Sequence, residues 1–430
     1  MKRVLIIAYY WPPAGGSGVQ RCLKFAKFLP QFGWEPVVYT CENPAAFTWD
    51  QSLLNDVPAD LEVHKTRIFE PFELYKKLTG QGKDAKVTDV MVQGDKDSMV
   101  KRLAIWLRGN LYVPDAKVGW VKPSVAYLSK YLAEHPVDLM LSSGPPHSVH
   151  LIAKKLNKKF SIPWVADFRD PWINIFSNRF MKRTAFTERR DRRLETSVLS
   201  QAHAVTVVSP GLAHEFGDRA RRLTEIYNGY DRDDIPAARQ QKNSTFSLCY
   251  TGNYMANQDL PELWAVIAEL KNELPDFAGL FRLHLVGKVA GNIVESIEAA
   301  GISELLQLTD SVPHREAVQY MVDSEMLLFP IPHDKTNKLI LTGKIFEYLA
   351  SRSEILCIGP VDGNAARILN EAGRTTMLDY SDRSALKQRI RSSFEKWKTS
   401  GALRHDGDAH KRFSREGLTA QLAELFNELI

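Results

Sequence analysis

Residues 341–360, LTGKIFEYLASRSEILCIGP, combine three features that a phosphate-ester site needs. Thr342 and Gly343 fit the start of a helix, which offers free backbone N–H groups and about half a positive charge to an anion. Lys344, in the predicted first turn, adds a full charge. Glu347 follows on the same helix face, where its carboxylate can accept hydrogen bonds from both hydroxyls of a ribose. Ribose and diphosphate together indicate a nucleotide-sugar.

The ordinary alternative is that Lys344 and Glu347 are a solvated pair on a helix surface. A lysine and a glutamate three residues apart, taken alone, are usually such a pair. The site hypothesis therefore depends on whether the rest of the chain provides a sheet and loops that place these residues against a ligand.

The length and composition of the chain limit the class of protein and the number of domains. The chain has 430 residues, 44% of them hydrophobic and 25% charged, which is typical of a globular protein with two domains of about 200 residues each. The formal net charge of +5 is too small to indicate a nucleic-acid partner. No apolar run reaches the length of a transmembrane helix, and the apolar N-terminal run ends at Pro12 and Pro13 without a cleavage site. We therefore interpret that run as a first strand.

The cysteines are scattered along the chain, with no CxxC spacing: Cys22, Cys41, Cys249 and Cys357. This distribution argues against a disulfide framework and against a zinc site, and it suggests a reducing compartment. We expect a cytoplasmic protein.

The first half begins with a βαβ pattern. An apolar strand at 3–9 leads into the loop YWPPAGGSG, a helix at about 19–32 and the strand EPVVYT. Ligands of parallel sheets gather at the carboxyl ends of strands, where this loop places Gly15 and Gly16. The dinucleotide fingerprint fails because Arg21 stands where its last glycine belongs, so a dehydrogenase is disfavoured.

Later strands of the first half also end in polar residues. The strand predicted at 162–168 is followed by Arg169 and Asp170, which could either serve a site or form an ion pair that orders the loop. Residues 75–100 are polar and rich in lysine, and we interpret them as a mobile insertion. The stretch at 101–114, KRLAIWLRGNLYVP, is both basic and apolar, and we favour core packing over contact with lipid. A basic cluster at 179–193 could be a solvated helix face or could contact an anionic membrane at the inner face.

The second half repeats the alternation of strands and helices. About six strands are expected, and polar loops again follow them, including Gly252 and Asn253. Asp231-Arg232-Asp233 has a metal-binding spacing, but it follows an Asn-Gly turn and precedes a polar linker. We interpret it as part of a hinge. The predicted domains are 1–235 and 236–410, followed by a C-terminal helix at 411–430.

Six phrases in this order resemble the family 4 glycosyltransferases of the GT-B fold: YYWPPAGGSGVQR, WVADFRDPW, IYNGYD, YTGNY, LHLVG and TGKIFEYLA. The resemblance covers nearly the whole chain. It implies an α/β fold of two doubly wound Rossmann-like domains facing across a cleft, the first on the acceptor side and the second binding the donor. It further implies retaining, metal-independent transfer of a sugar from a UDP- or GDP-linked donor, with no cofactor. The acceptor would be a glycan or a lipid-linked molecule, in bacterial cell-surface polysaccharide synthesis.

The resemblance assigns roles position by position. Glu347 matches the glutamate that binds the donor ribose, and Lys344 with the amides near Thr342 and Gly343 matches the helix start that holds the diphosphate. Gly15 and Gly16 match the loop that faces the donor phosphates and the reacting sugar, and the loop with Gly252 and Asn253 also lies on the donor side. Arg169 and Asp170 fall at the acceptor side near the reacting carbon. The expected catalytic residues are Asp170, Arg169 and Lys344.

The sequence departs from the family pattern at the donor sugar. The family's first glutamate falls on Leu339, so its contact is missing or is supplied by Asp334 or Asn337. Basic residues common after the first strand of the second half are replaced here by Asn253 and Gln258, which increases the importance of Lys344. Two alternatives stay open: a nucleotide-sugar epimerase of the same fold, and a non-catalytic protein that binds nucleotide-sugars.

Overall fold

The computed structural model describes residues 1–46, 48–68, 106–175, 178, 181–237, 243–401, 403–405 and 407–430. The predicted insertion at 75–100 lies outside the described residues. The chain divides into an N-terminal unit, Met1–Tyr227 with Leu418–Ile430, and a C-terminal unit, Asn228–Gly417. The division precedes the expected boundary at 235. The last residues join the first unit because the Phe426 ring packs edge-on against Trp34, with ring centroids 5.2 Å apart.

Among the described residues, seven parallel strands form the sheet of the N-terminal unit, in the order β3-β2-β1-β4-β5-β6-β7. The strands are β1 Lys2–Ala8, β2 Trp34–Cys41, β3 Glu62–Thr66, β4 Leu139–Gly144, β5 Trp164–Phe168, β6 Ala204–Val207 and β7 Leu223–Glu225. The helices are α1 Ser17–Phe28, α2 Val121–Glu134, α3 Ser148–Phe160, α4 Ala185–Gln201 and α5 Pro210–Phe216.

The central strands of this sheet are buried because their sequences are apolar without alternation, as expected for strands covered on both faces. The strand order reverses between β1 and β4, which are direct neighbours in register Ile7 to Ser142. Loops that follow strands at such a reversal diverge and leave a crevice at the carboxyl edge. The glycine loop after β1 therefore lies where a ligand is expected.

The sheet of the C-terminal unit has five parallel strands among the described residues, in the order β10-β9-β8-β11-β12, one fewer than expected. The strands are β8 Phe246–Thr251, β9 Phe281–Val286, β10 Leu306–Thr309, β11 Met326–Pro330 and β12 Glu354–Ile358. The helices of this unit are α6 Pro261–Glu273, α7 Phe277–Leu280, α8 Gly291–Ala299, α9 His314–Asp323, α10 Lys344–Ser351, α11 Asn364–Glu371 and α12 Arg383–Ser400; α13 Arg415–Asn427 continues into the N-terminal unit. Here the order reverses between β8 and β11.

Two Rossmann-like units with parallel sheets confirm the expected α/β class. Each unit has its own core of buried apolar side chains, with Trp120 and Trp164 in the first and Trp264 and Trp397 in the second. A helix long and apolar enough to cross a membrane is absent from the described ranges.

The structure describes parts of two stretches that carried alternative interpretations. The prediction of core packing for residues 101–114 is wrong at Trp106 and Leu111, which are 42% and 60% exposed, whereas Val113 is buried as expected. The described part of the basic cluster, residues 181–193, enters α4. The Thr184 hydroxyl caps this helix by accepting a hydrogen bond from the Thr187 N–H.

Candidate active site

The predicted phosphate-binding element is a helix as expected. Helix α10 begins at Lys344 and is preceded by Gly343, around which a Cβ would meet no atom within 4 Å. The loop from β11 leads into it, so the helix start lies at the carboxyl edge of the sheet, beside the reversal between β8 and β11. A helix start in this position favours an anion, although the Ile345 and Phe346 N–H groups already donate to the Thr342 and Gly343 carbonyls, at 3.3 and 3.2 Å.

Lys344 does not form a pair with Glu347, because each takes a different partner. The Lys344 Nζ donates a hydrogen bond of 2.8 Å to the Tyr250 hydroxyl and lies 4.4 Å from the centroid of the same ring. Burial lowers the pKa of Lys344 to about 8, with Glu347 opposing the shift. The ammonium group is therefore partly desolvated, a state that an incoming anion would relieve.

The loop after β8 is shaped to admit this lysine. A Cβ built on Gly252 would lie 2.6 Å from the Lys344 Nζ, and Gly252 has a φ of +105° that side chains rarely adopt. A Cβ on Gly287, after β9, would meet the Gly252 carbonyl oxygen at 2.4 Å. The structure thus brings Gly252 and Lys344 together, as predicted residues of one site. Asn253 is exposed next to them, and its carbonyl accepts a hydrogen bond of 2.6 Å from Tyr250.

Glu347 is held by a histidine. His314, the first residue of α9, makes a hydrogen bond of 2.9 Å from its Nε2 to the Glu347 Oε1. This bond raises the pKa of His314, while burial opposes the rise; Asp234 raises the pKa further and Arg415 lowers it. The Glu347 side chain keeps 18% of its surface exposed, so the carboxylate is oriented by His314 and remains accessible to a ligand.

The loop between β11 and α10 contains the residues proposed to replace the family's first glutamate. Asp334 accepts hydrogen bonds from the Thr336 backbone and hydroxyl, at 2.8 and 2.6 Å. The Asn337 amide donates to the Tyr380 hydroxyl at 3.3 Å. Both side chains therefore stabilise the loop, while Leu339 is 56% exposed and brings no polar group.

In the N-terminal unit the glycine loop is anchored by residues 48–50. The Gly15 N–H donates to the Thr48 carbonyl at 2.9 Å, and a Cβ on Gly15 would approach the Thr48 hydroxyl to 2.9 Å. Gly16 precedes α1 with a φ of +109°. Two of the predicted glycines are thus required by local geometry, one by close approach and the other by its backbone angle.

The predicted Arg169 reaches this loop. A Cβ on Gly18, in the first turn of α1, would lie 1.3 Å from the Arg169 Nη1, so the guanidinium covers that glycine. The Arg169 Nε donates to the Gly144 carbonyl at 3.1 Å, and its Nη2 donates to the Pro145 carbonyl. The structure therefore brings together the loops after β1, β4 and β5 around Arg169.

Asp170 follows Arg169 and has an exposed side chain. The surrounding protein atoms nevertheless raise the pKa of Asp170, and the Arg169 guanidinium opposes this rise. An Arg-Asp ion pair that orders this region is present, but two other residues form it. The buried Arg21 and Asp167 side chains form a double hydrogen bond of 3.0 and 2.7 Å that joins α1 to β5.

Sequence reasoning assigned no role to Tyr250 or His314. Tyr250 begins the phrase YTGNY, whereas His314 lies in none of the six phrases. The position of Tyr250 at the end of β8, beside the sheet reversal, could have singled it out. His314 follows the edge strand β10, so the strand pattern gave no such signal for it. Within the described ranges, no group of three or more His, Cys, Asp or Glu side chains could hold a metal ion. Asp231 is the first residue of Asp231-Arg232-Asp233, which has a metal-binding spacing. Its side chain accepts a hydrogen bond from the Asp233 N–H and caps a short helical turn.

The model of the family described as Glycosyltransferase Family 4 matches residues 16–234, which is more than half of the chain. The chain belongs to glycosyltransferase family 4. The match begins at Gly16 of the glycine loop and includes Arg169 and Asp170. A comparison of this family 4 glycosyltransferase with curated proteins gives no match.

Solved structures similar to this family 4 glycosyltransferase share its fold over the full chain. A glycosyltransferase from Rickettsia africae ESF-5 has a TM-score of 0.62 at 13% identity, covering 100% of this chain and 98% of its own. Anabaena HepE in complex with UDP-glucose has a TM-score of 0.61 at 13% identity, covering 100% of both chains. An E. coli trehalose-6-phosphate protein bound with UDP-2-fluoro glucose has a TM-score of 0.54 at 11% identity, covering 99% and 96%. These likenesses confirm the GT-B fold.

Proposed function

We propose that this family 4 glycosyltransferase moves a sugar from a nucleoside diphosphate donor to a glycan or lipid-linked acceptor, with retention at the anomeric carbon and without a metal ion. The observation that carries the proposal is the setting of Lys344. Its partly desolvated ammonium group lies at an open helix start, against a glycine at the sheet reversal. A positive charge at a helix start suits the binding of a diphosphate.

The donor is held at two points in this proposal. Lys344 and the first amides of α10 bind the diphosphate, and Glu347 accepts the ribose hydroxyls one turn further on. His314 occupies one lone pair of Glu347, and a carboxylate has about four such sites, so the ribose can still be accommodated. UDP-linked donors are favoured because the similar HepE and E. coli structures contain UDP-glucose and UDP-2-fluoro glucose.

Negative charge grows on the departing diphosphate as the bond to the sugar breaks. In the proposed metal-independent reaction, Lys344 and the amides of the α10 start stabilise this charge, and because they are already in place they need no reorganisation. Asp170 and Arg169 act on the acceptor side. The raised pKa of Asp170 suits a group that takes up a proton from an acceptor hydroxyl. The Arg169 guanidinium is fixed by carbonyl oxygens.

A lipid-linked acceptor is supported by the surface around the start of α4. Phe186 is 75% exposed and Trp106 is 42% exposed, and Arg189 and Arg190 are exposed on the same helix as Phe186. The Asn110 side chain links the two segments, because its Oδ1 accepts hydrogen bonds from the Thr184 N–H and the Thr187 hydroxyl. Exposed aromatic side chains among arginines suit an anionic bilayer, so we propose peripheral contact with the inner face of the membrane.

Vesicle sedimentation tests the membrane contact. We expect R189E/R190E to bind vesicles with 30% anionic lipid at least several-fold more weakly than the wild type, because each basic residue near a charged surface contributes about 1 kcal/mol. The charge-matched control is K158E/K159E, on the exposed end of α3. Equal binding by both double variants would refute the assigned surface.

A thermal-shift screen with UDP, GDP and their sugars tests the donor, because a ligand that binds only the folded chain raises its melting temperature. We expect one nucleotide to raise the melting temperature. We also expect product to form with a member of an acceptor panel, and this activity to persist in EDTA. An NMR spectrum of the product reports the anomeric configuration. An isomerised donor formed without acceptor would instead indicate an epimerase, and tight binding without turnover would indicate a binding protein.

A further inference from the structure

A cavity of about 240 Å³ lies in the C-terminal unit, away from the residues discussed so far. Its wall is built from the start of β12, the turn after α11, one face of α12 and the segment at 403–405. The polar residues that matter are Glu354, Arg374, Thr375, Arg389, Lys396 and Arg404. A cavity of this size suits a small anion or a small metabolite.

The cavity lies at the opposite edge of the sheet from the proposed donor site. Glu354 is the first residue of β12, and the strand ends at Ile358. All strands of this sheet are parallel, so Gly252 and Lys344 belong to the other edge. The length of β12 separates the two edges by roughly 16 Å at about 3.3 Å per residue. A ligand in the cavity is therefore distinct from the donor.

Positive charge dominates the cavity wall. Three arginines and Lys396 line it, against the single carboxylate of Glu354 among the lining residues. Arg389 lies 3.7 Å from Glu354 and donates a hydrogen bond of 2.8 Å to the Thr375 hydroxyl. The excess of cations means that Glu354 cannot neutralise the wall.

Two guanidinium groups in this wall have buried N–H groups without a partner in the described part of the chain. These are the Arg374 Nη1 and the Arg404 Nε. Their other nitrogens are used, since the Arg374 Nη2 donates to the Ser353 carbonyl and Arg404 bonds to Ser353 and Val322. Buried charged donors without an acceptor are costly, and nearly all buried polar groups in proteins have a partner. An anion in the cavity would compensate the positive charge of these guanidinium groups at close range.

The pKa values of Arg374 and Arg404 are both lowered, which fits a wall whose positive charge is only partly compensated. Burial lowers the pKa of Arg374 to about 10, and the neighbouring Arg352 lowers it further. Burial also lowers the pKa of Arg404, although Glu325 and Asp323 oppose the shift. The contrast is Arg21 in the other unit, whose buried guanidinium meets the Asp167 carboxylate directly.

We propose that this cavity binds a phosphate group, either as inorganic phosphate or as the phosphate of a small metabolite. Several guanidinium groups around a small cavity match the charge and the acceptor oxygens of phosphate. The site is independent of sugar transfer, because none of its residues belongs to the proposed donor site.

Thermal shift and calorimetry with inorganic phosphate test this site in the K344A background, at constant ionic strength set with chloride. K344A weakens phosphate binding at the donor end, so any remaining effect reports the cavity. We expect phosphate to raise the melting temperature by several degrees at concentrations far above its Kd. R389Q should weaken phosphate binding about tenfold, since one charge-assisted contact is lost. R391Q is the matched control, because Arg391 lies on the same helix and pairs with Glu273 outside the cavity.

One further variant and one further ligand test the proposed phosphate site. T375D places a carboxylate next to Arg389 and should raise the melting temperature without phosphate and remove the phosphate response. Glucose 6-phosphate binding more tightly than phosphate would assign a metabolite, and the reverse order would assign the free ion. Equal phosphate binding by R389Q and R391Q, or loss of the whole phosphate effect in K344A alone, would overturn the proposal.

Discussion

Replacing Lys344 by methionine tests the proposed diphosphate contact. Methionine keeps the length of the side chain and its packing near the Tyr250 ring but removes the charge. One charge-assisted hydrogen bond contributes about 1.5–3 kcal/mol, and about 1.4 kcal/mol is a tenfold effect. We therefore expect K344M to lower kcat/KM about tenfold to hundredfold.

The pKa of Lys344 makes this prediction specific. With a pKa of about 8, the free enzyme carries the ammonium on about nine-tenths of its molecules at pH 7 and on about one-tenth at pH 9. Donor binding favours the charged form, so affinity is full below the pKa and falls as the pH rises through it. The donor Kd should increase about tenfold between pH 7 and pH 9.

Isothermal titration with a UDP-sugar across this range is the assay, and K344M is the control. Its Kd should be weaker than that of the wild type and nearly constant with pH, and it also corrects for any titration of the ligand. Glu347, its partner His314 and Tyr250 are the other titratable groups of the site. If K344M shows the wild-type affinity, or the same pH dependence as the wild type, Lys344 does not hold the diphosphate.

Three more substitutions follow from individual contacts. H314A should weaken UDP binding about tenfold but leave 2′-deoxy-UDP binding little changed, because His314 orients the Glu347 carboxylate. H314Q can still donate a hydrogen bond to this carboxylate and should largely restore the preference for UDP over 2′-deoxy-UDP. Equal losses of affinity for both nucleotides in H314A would contradict this role. G18A should lower stability by about 1–3 kcal/mol in denaturant unfolding, because its Cβ would push the Arg169 guanidinium off the Gly144 and Pro145 carbonyls. G279A, with open space around it in α7, should not lower stability, and equal effects of the two substitutions would contradict this role of the Arg169 contact. R21M should cost about 3–5 kcal/mol in the same assay because it leaves a carboxylate buried and unpaired, and a loss under 1 kcal/mol would refute that reasoning.

The sequence predicted the fold well where local signals were strong. The apolar run at 3–9 predicted a first strand, and the structure has the largely buried strand Lys2–Ala8 there. Strand β3 was missed because its sequence, EVHKT, is polar and its side chains are half-buried or exposed at the edge of the sheet. The long helix α12 was missed because its many charged residues weaken the periodic apolar signal.

The candidate site was predictable only in part. Lys344 and Glu347 follow from a helix start, which is a local pattern. Their partners come from other strands and helices: Tyr250 is more than 90 residues earlier in the chain, and His314 is more than 30 residues earlier. Arg169 meets Gly18 through a similar tertiary approach. Such contacts depend on sheet order, which a strand pattern alone does not specify.

The most direct measurement of the central claim is a crystal structure of the chain with a bound UDP-sugar. The account predicts diphosphate oxygens within about 3.2 Å of the Lys344 Nζ and of the first amides of α10, with the ribose hydroxyls on Glu347. A diphosphate bound elsewhere, with Lys344 still donating only to Tyr250, would contradict it.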